Sequence, residues 1–365
     1  MKAFARQIPA LIGATLLLAA CGQASPPASP PASAVAPAAS AAAKPSGAGS
    51  AAASAAGKPA ASQVAIKSAY TTTSATMTPL WAAKDGGYFD QQGLNVTLAR
   101  IAAGAPILSA LQGGDVPIAF VGAQQIVEAD LKGAQFVLVG GFINTLDQQI
   151  YTIPSITKVE QLKGQALGVT NFGAITHVAG RVAMEKLGLK DQVNFIATGG
   201  PPETLASIQT GKVQGGIFSP PQSFQAETQG LHMLVDVSTL GVKPRTAAIA
   251  TTRQYVKDHP DIVERYVRAA IEGSHRAATD KDLADKSITK YGGVEDQALV
   301  GKTYEYYKSR WGKDAFPDLE GIQQNLDVAA ETIPEAKTAK PEQFVDMTFV
   351  QRIKASGFIE QVWGK

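Results

Sequence analysis

The side chains that could do chemistry are few and scattered. The four histidines, His177, His232, His259 and His275, have no spacing that would bring ligands round a metal. The single cysteine, Cys21, follows an apolar run with no folded base beside it, and a nucleophilic thiol needs one. Gly301-Lys302-Thr303 ends like a phosphate loop, but Asp296 stands where the leading glycine belongs and the context reads as mid-helix. Acidic side chains pair at helical spacing with basic ones, as Glu305 does with Lys308 and Asp261 with Arg265, which makes solvated faces rather than acid–base couples. No H-E-x-x-H, cysteine pair or G-x-S-x-G elbow is present, so no catalytic residue, metal or cofactor is assigned.

What recurs is a small residue at a strand end just before a helix. Gly104-Ala105, Gly122-Ala123, Asn171-Phe172-Gly173-Ala174 and Gly199-Gly200-Pro201 all read this way. Every βα turn needs small residues, so one such turn is punctuation. Four aimed at one crevice would offer unpaired N–H groups to an oxygen-rich ligand.

The elements that carry these turns alternate. Strands read at 64–71, 95–102, 117–123 and 135–144, with helices at 78–92, 105–114 and 123–133. The alternation restarts at 165–170 and runs through 239. Residues 108–133 lie over 205–230 without a gap, pairing Leu108 with Leu205, Gln112 with Gln209, Gly114 with Gly211, Val116 with Val213 and Gly133 with Gly230. This weak repeat predicts two similar α/β lobes of mainly parallel sheet flanked by helices. From about 246 a strand leads into helical segments at 259–279, 281–293, 294–311 and 319–333, an extra helical C-terminal segment expected on the first lobe.

The 365-residue chain carries 33 basic and 31 acidic side chains. Lys2 and Arg6 account for the difference, so the rest is neutral and has no drive toward nucleic acid. Those two cations precede the apolar run 8–20, too short to span a bilayer, and residues 1–20 read as a signal peptide. Leu18-Ala19-Ala20-Cys21 resembles the lipobox of bacterial lipoproteins, whose cysteine is acylated, for example with palmitate. The alternative is an ordinary secreted protein with an incidental cysteine. Residues 21–63 are almost wholly Ala, Ser, Pro and Gly, and are expected to form a disordered tether of about 35 Å root-mean-square span.

The segments 79–98, 110–122, 155–169, 170–189, 207–221 and 259–278 resemble the signature of ABC-importer substrate-binding proteins of the nitrate/sulfonate/taurine and thiamine-pyrimidine-precursor type. The resemblance implies a two-lobe periplasmic-binding-protein clamp of type II that closes on a small molecule and delivers it to a permease with its ATPase. It places lobe 1 at 64–154 and 246–365, lobe 2 at 155–245, and hinges near 152–157 and 242–248. Its ligand contacts would fall on Thr72, Thr73, Ser74, Met77, Gly104, Ala105, Val121, Gly122, Ala123, Asn171, Gly173, Ala174, Thr176, Phe218 and Ser219. Phe172 would suit an organic body as well. Ser219 departs from the acid often found there, and Ala174-Ile175 from a Ser-Ser run. The resulting expectation is a monomeric, lipid-anchored, extracytoplasmic binding protein and not an enzyme. The alternatives are an enzyme on the same scaffold, with His177 as the only histidine near the cleft, and a subunit that signals to a sensor.

Overall fold

The computed structural model describes residues 63–143, 146–241, 247–313 and 315–364. The signal peptide, Cys21, nearly all of the tether and residues 242–246 of the second hinge lie outside them. The chain begins with β1 (Val64–Tyr70), α1 (Thr78–Asp85), α2 (Tyr88–Gln91), β2 (Leu94–Arg100), α3 (Ala105–Gln112), β3 (Ile118–Val121), α4 (Ala123–Leu131) and β4 (Phe136–Ile143). The helix expected over 78–92 is split at Gly86-Gly87, where Gly87 adopts a φ of 73° that a side chain disfavours.

The second series is β5 (Gln149–Thr152), β6 (Ala166–Val169), α5 (Ile175–Lys186), β7 (Asn194–Ala197), α6 (Pro201–Gln209), β8 (Gly215–Phe218), α7 (Gln222–Thr228) and β9 (His232–Asp236). After it come β10 (Ala247–Thr252), α8 (Arg253–Asp258), α9 (Pro260–Thr279), α10 (Lys281–Gly292), α11 (Gln297–Tyr307), α12 (Leu319–Ala329), α13 (Thr348–Ala355) and α14 (Phe358–Trp363). The repeat in the sequence corresponds to α3–β3–α4 lying over α6–β8–α7.

The two five-stranded sheets share one plan, β2-β1-β3-β10-β4 and β7-β6-β8-β5-β9. In each, four strands run in one direction and the fourth position is an antiparallel strand inserted among them: β10 between β3 and β4, β5 between β8 and β9. This corrects the expected lobe boundary. Residues 149–152 pair in the second sheet, so the first crossing runs between Ile143 and Gln149 rather than at 152–157. Each sheet thus takes in the strand that the chain lays down at a crossing.

Helices cover both faces of the first sheet, so β4 is buried at all eight positions. On one face α1 packs against α9, with Trp81, Phe89 and Tyr266 fully buried between them and the sheet. Tyr266 places its hydroxyl 2.7 Å from Ser68 Oγ, which satisfies both buried groups. On the other face α4 and α12 pack with Ile126, Ile322 and Leu326. The C-terminal helices therefore pack on the first sheet and its helices.

The α1–α9 approach depends on Gly273, where an added Cβ would stand 2.6 Å from Ala83 Cβ and against the Pro79 carbonyl oxygen. Helix propensity alone would make Gly273→Ala stabilising by about 1 kcal/mol. Packing has the opposite sign and wins, so the variant is expected to lose about 2 kcal/mol in urea denaturation.

Candidate ligand-binding site

The strands of both sheets end on a common cleft of about 580 Å³, counted out to its mouth. From the first lobe it is lined by Thr71, Thr72, Ser74, Thr76 and Met77 after β1, Ala103 after β2, and Gly122 and Gln125 after β3. The second lobe contributes Gln148 before β5, Thr170 to Thr176 at the start of α5 (Asn171 and Phe172 excepted), Pro201 at α6, and Ile217, Phe218 and Ser219 at the end of β8. Ligands of open α/β sheets occupy this place because parallel strands end and helices begin there. The helices α3, α4, α5 and α6 each start without a side-chain cap, so the turns singled out in the sequence do leave helix starts uncapped.

Thr72, Ser74, Met77, Gly122, Gly173, Ala174, Thr176, Phe218 and Ser219 are brought together in the lining. The other expected residues are not. Thr73, Val121 and Ala123 are buried behind it, and Ala105 faces solvent. The Gly104 N–H is taken by Gln125 Oε1 at 2.7 Å. Asn171 ties the lobes together by donating to the Ala103 carbonyl at 2.9 Å. Phe172 is 59% exposed and packs edge-on against His177 instead of entering the cleft.

Sequence reasoning missed Thr71, Thr76, Ala103, Gln125, Gln148, Thr170, Ile175 and Ile217, together with a carboxylate just behind them; Pro201 belongs to a turn that it singled out without naming a contact. Asp147 is fully buried at the first crossing. It accepts from the Tyr307 hydroxyl on α11, from Ser219 Oγ at 3.1 Å and from Gln148 Nε2 at 2.6 Å. Burial pushes its pKa up to about 6, against the lowering effect of the Tyr307 and Ser219 hydroxyls. No charged side chain lines the cleft itself among the described residues.

Charges collect instead where the lobes meet. Arg100 of the first lobe stands 3.8 Å from Glu203 of the second, and Lys302 stands 3.0 Å from Glu227. Glu331, just past α12, pairs with Arg181 and, at 3.4 Å, with Lys190 of the second lobe. Arg181, Lys190 and Glu331 border a separate depression that also holds His177. The His177 Nδ1 accepts the Gly173 N–H at 3.2 Å, and burial lowers its pKa to about 4, so it is neutral. Among the described residues no helix is long and apolar enough to cross a membrane, and no three His, Cys, Asp or Glu side chains group as metal ligands.

The family model described as NMT1/THI5 like matches residues 74–284, more than half of the chain. The protein belongs to that family. As an NMT1/THI5-like protein it is 24% identical to the taurine-binding periplasmic protein of Escherichia coli K12 over 225 residues, 60% of this chain and 68% of that one. The alkanesulfonate-binding protein SsuA of Xanthomonas axonopodis, solved with MOPS, superposes with a TM-score of 0.66 at 17% identity, covering 79% of this chain and all of that one. The nitrate-binding protein NrtA of Synechocystis PCC 6803 does so with 0.63 at 12%, covering 80% and 89%. These superpositions show a shared two-lobe periplasmic-binding-protein fold, here with additional C-terminal helices.

The two perturbed groups pull stability in opposite directions with pH. Asp147 binds its proton more tightly folded than unfolded, so its contribution falls as pH rises from the ordinary carboxylate range to about 6. His177 binds its proton less tightly folded, so its contribution rises as pH climbs from about 4 to the ordinary imidazole range. Urea denaturation across this window should show a curve that climbs more steeply with pH in Asp147→Asn than in the parent. In His177→Gln it should climb less steeply. Unchanged slopes would contradict both assignments.

Proposed function

We propose that this NMT1/THI5-like protein is the extracytoplasmic solute-binding component of an ABC importer, capturing a small organic molecule between its lobes and delivering it to a membrane permease. The observation that carries this reading is the cleft. It lies between two lobes, is walled by Met77, Ile175, Ile217 and Phe218, and offers hydroxyl, amide and backbone groups with no charged side chain in the lining among the described residues. The periplasmic binding relatives support the same role. Capture proceeds by hinge closure, with the inter-lobe ion pairs forming as the cleft shuts.

We further propose export through the signal peptide and acylation at Cys21, so that the protein works as a monomer held to the membrane by its tether. Fractionation of the host should place the parent with membranes and a Cys21→Ser form in the soluble extracytoplasmic fraction. Equal membrane association would rule the anchor out.

Native mass spectrometry of protein freshly purified from its host should show one small-molecule adduct that denaturation releases. Adding that molecule back at one hundred times its Kd should stabilise the protein by about 2.7 kcal/mol. A host preparation with no adduct, and no melting shift from a broad metabolite panel, would defeat the reading.

A further inference from the structure

The polar side-chain hydrogens of Gln148, Ser219, Tyr307 and Ser74, at one end of the cleft, are already committed within the protein. Gln148 lines the cleft and is 1% exposed. Its Nε2 donates to Asp147 Oδ1 and, at 3.0 Å, to Ser219 Oγ, which uses both amide hydrogens. The Ser219 hydroxyl gives its hydrogen to Asp147, and so does Tyr307. Ser74 Oγ accepts the Thr76 N–H at 3.3 Å. Its own hydrogen faces the Pro220 carbonyl and the Tyr307 oxygen, each 3.4 Å away.

What remains there is acceptor capacity. Gln148 Oε1 has no hydrogen-bond partner among the described residues. Turning the amide over would not supply one, because Oε1 would then face the Asp147 carboxylate, oxygen against oxygen. A buried acceptor left unpaired is costly, so this atom is the one that a ligand would satisfy.

We infer that this end of the cleft reads a hydrogen-bond donor: the captured solute carries an N–H group, as an amine, amidine or amide, that donates to Gln148 Oε1. The Asp147 carboxylate stands directly behind that contact and favours a cation there over an anion. No Lys or Arg in the lining offsets it, and the basic group that acts on Asp147 is Arg310, outside the lining. The walls of Met77, Ile217 and Phe218 take the apolar body of the same molecule. The inference rests on the solute-capture reading and adds the head group.

The test is titration calorimetry with a metabolite library sorted by head group, together with benzylamine, benzamide, benzoate and benzenesulfonate as probes on one body. The parent is compared with Asp147→Asn, which keeps the shape and removes the charge, and with Gln148→Met, which removes the acceptor. Each variant is first shown to melt cooperatively, and if one does not fold the other decides. Compounds that bind should carry an N–H donor. Asp147→Asn should weaken cationic amines by roughly ten-fold and leave amides nearly unchanged, whereas Gln148→Met should weaken both by roughly ten-fold. A tight ligand whose head is an oxyanion without N–H, or an N–H ligand held equally by all folded forms, overturns the donor subsite and leaves solute capture standing. A library with no ligand of any class overturns the two together.

Discussion

The structure turns on a carboxylate taken out of water. Burying an unpaired charge costs several kcal/mol even after relaxation, so Asp147 is tolerable only while donors surround it. Those donors come from three places: Gln148 at the crossing, Ser219 at the end of β8, and Tyr307 on a helix of the first lobe. Satisfying one side chain therefore ties the residues entering β5 to the end of β8. It also pins α11 against those residues and sets the orientation of two residues that line the cleft.

The rest of the architecture is consistent with this knot. Each sheet is four strands of one direction with one antiparallel strand in the fourth position, which makes the lobes alike in plan.

Much of the fold was legible in the sequence because it is local. The strand and helix periods from 64 to 143, the α3–β3–α4 repeat and the long helix α9 were each written in patterns of apolar residues and glycines. The membership of β5 was not, since QIYT is a short strand-like stretch that suits either lobe, and pairing with β8 and β9 involves residues 63 to 87 positions away. The small residues of the cleft were found through the turns that need them. Asp147 and Gln148 escaped because a polar residue's role is set by its tertiary partners, here Ser219 and Tyr307. Phe172 misled for a related reason: its aromatic character suits a pocket, but its place in the turn before α5 sends the ring outward onto His177.

The ion pairs between the lobes have a further consequence. Each involves side chains that are about a quarter to a half exposed, and such pairs contribute at most about 1 kcal/mol apiece. They are too weak to hold the jaws shut without cargo, but their attraction reaches about 10 Å in 0.1 M salt and about 30 Å in 0.01 M. The surrounding medium thus sets how far apart the jaws begin to feel one another. In a dilute freshwater setting they would be drawn together from a wide gape, and in brine they would have to meet by chance.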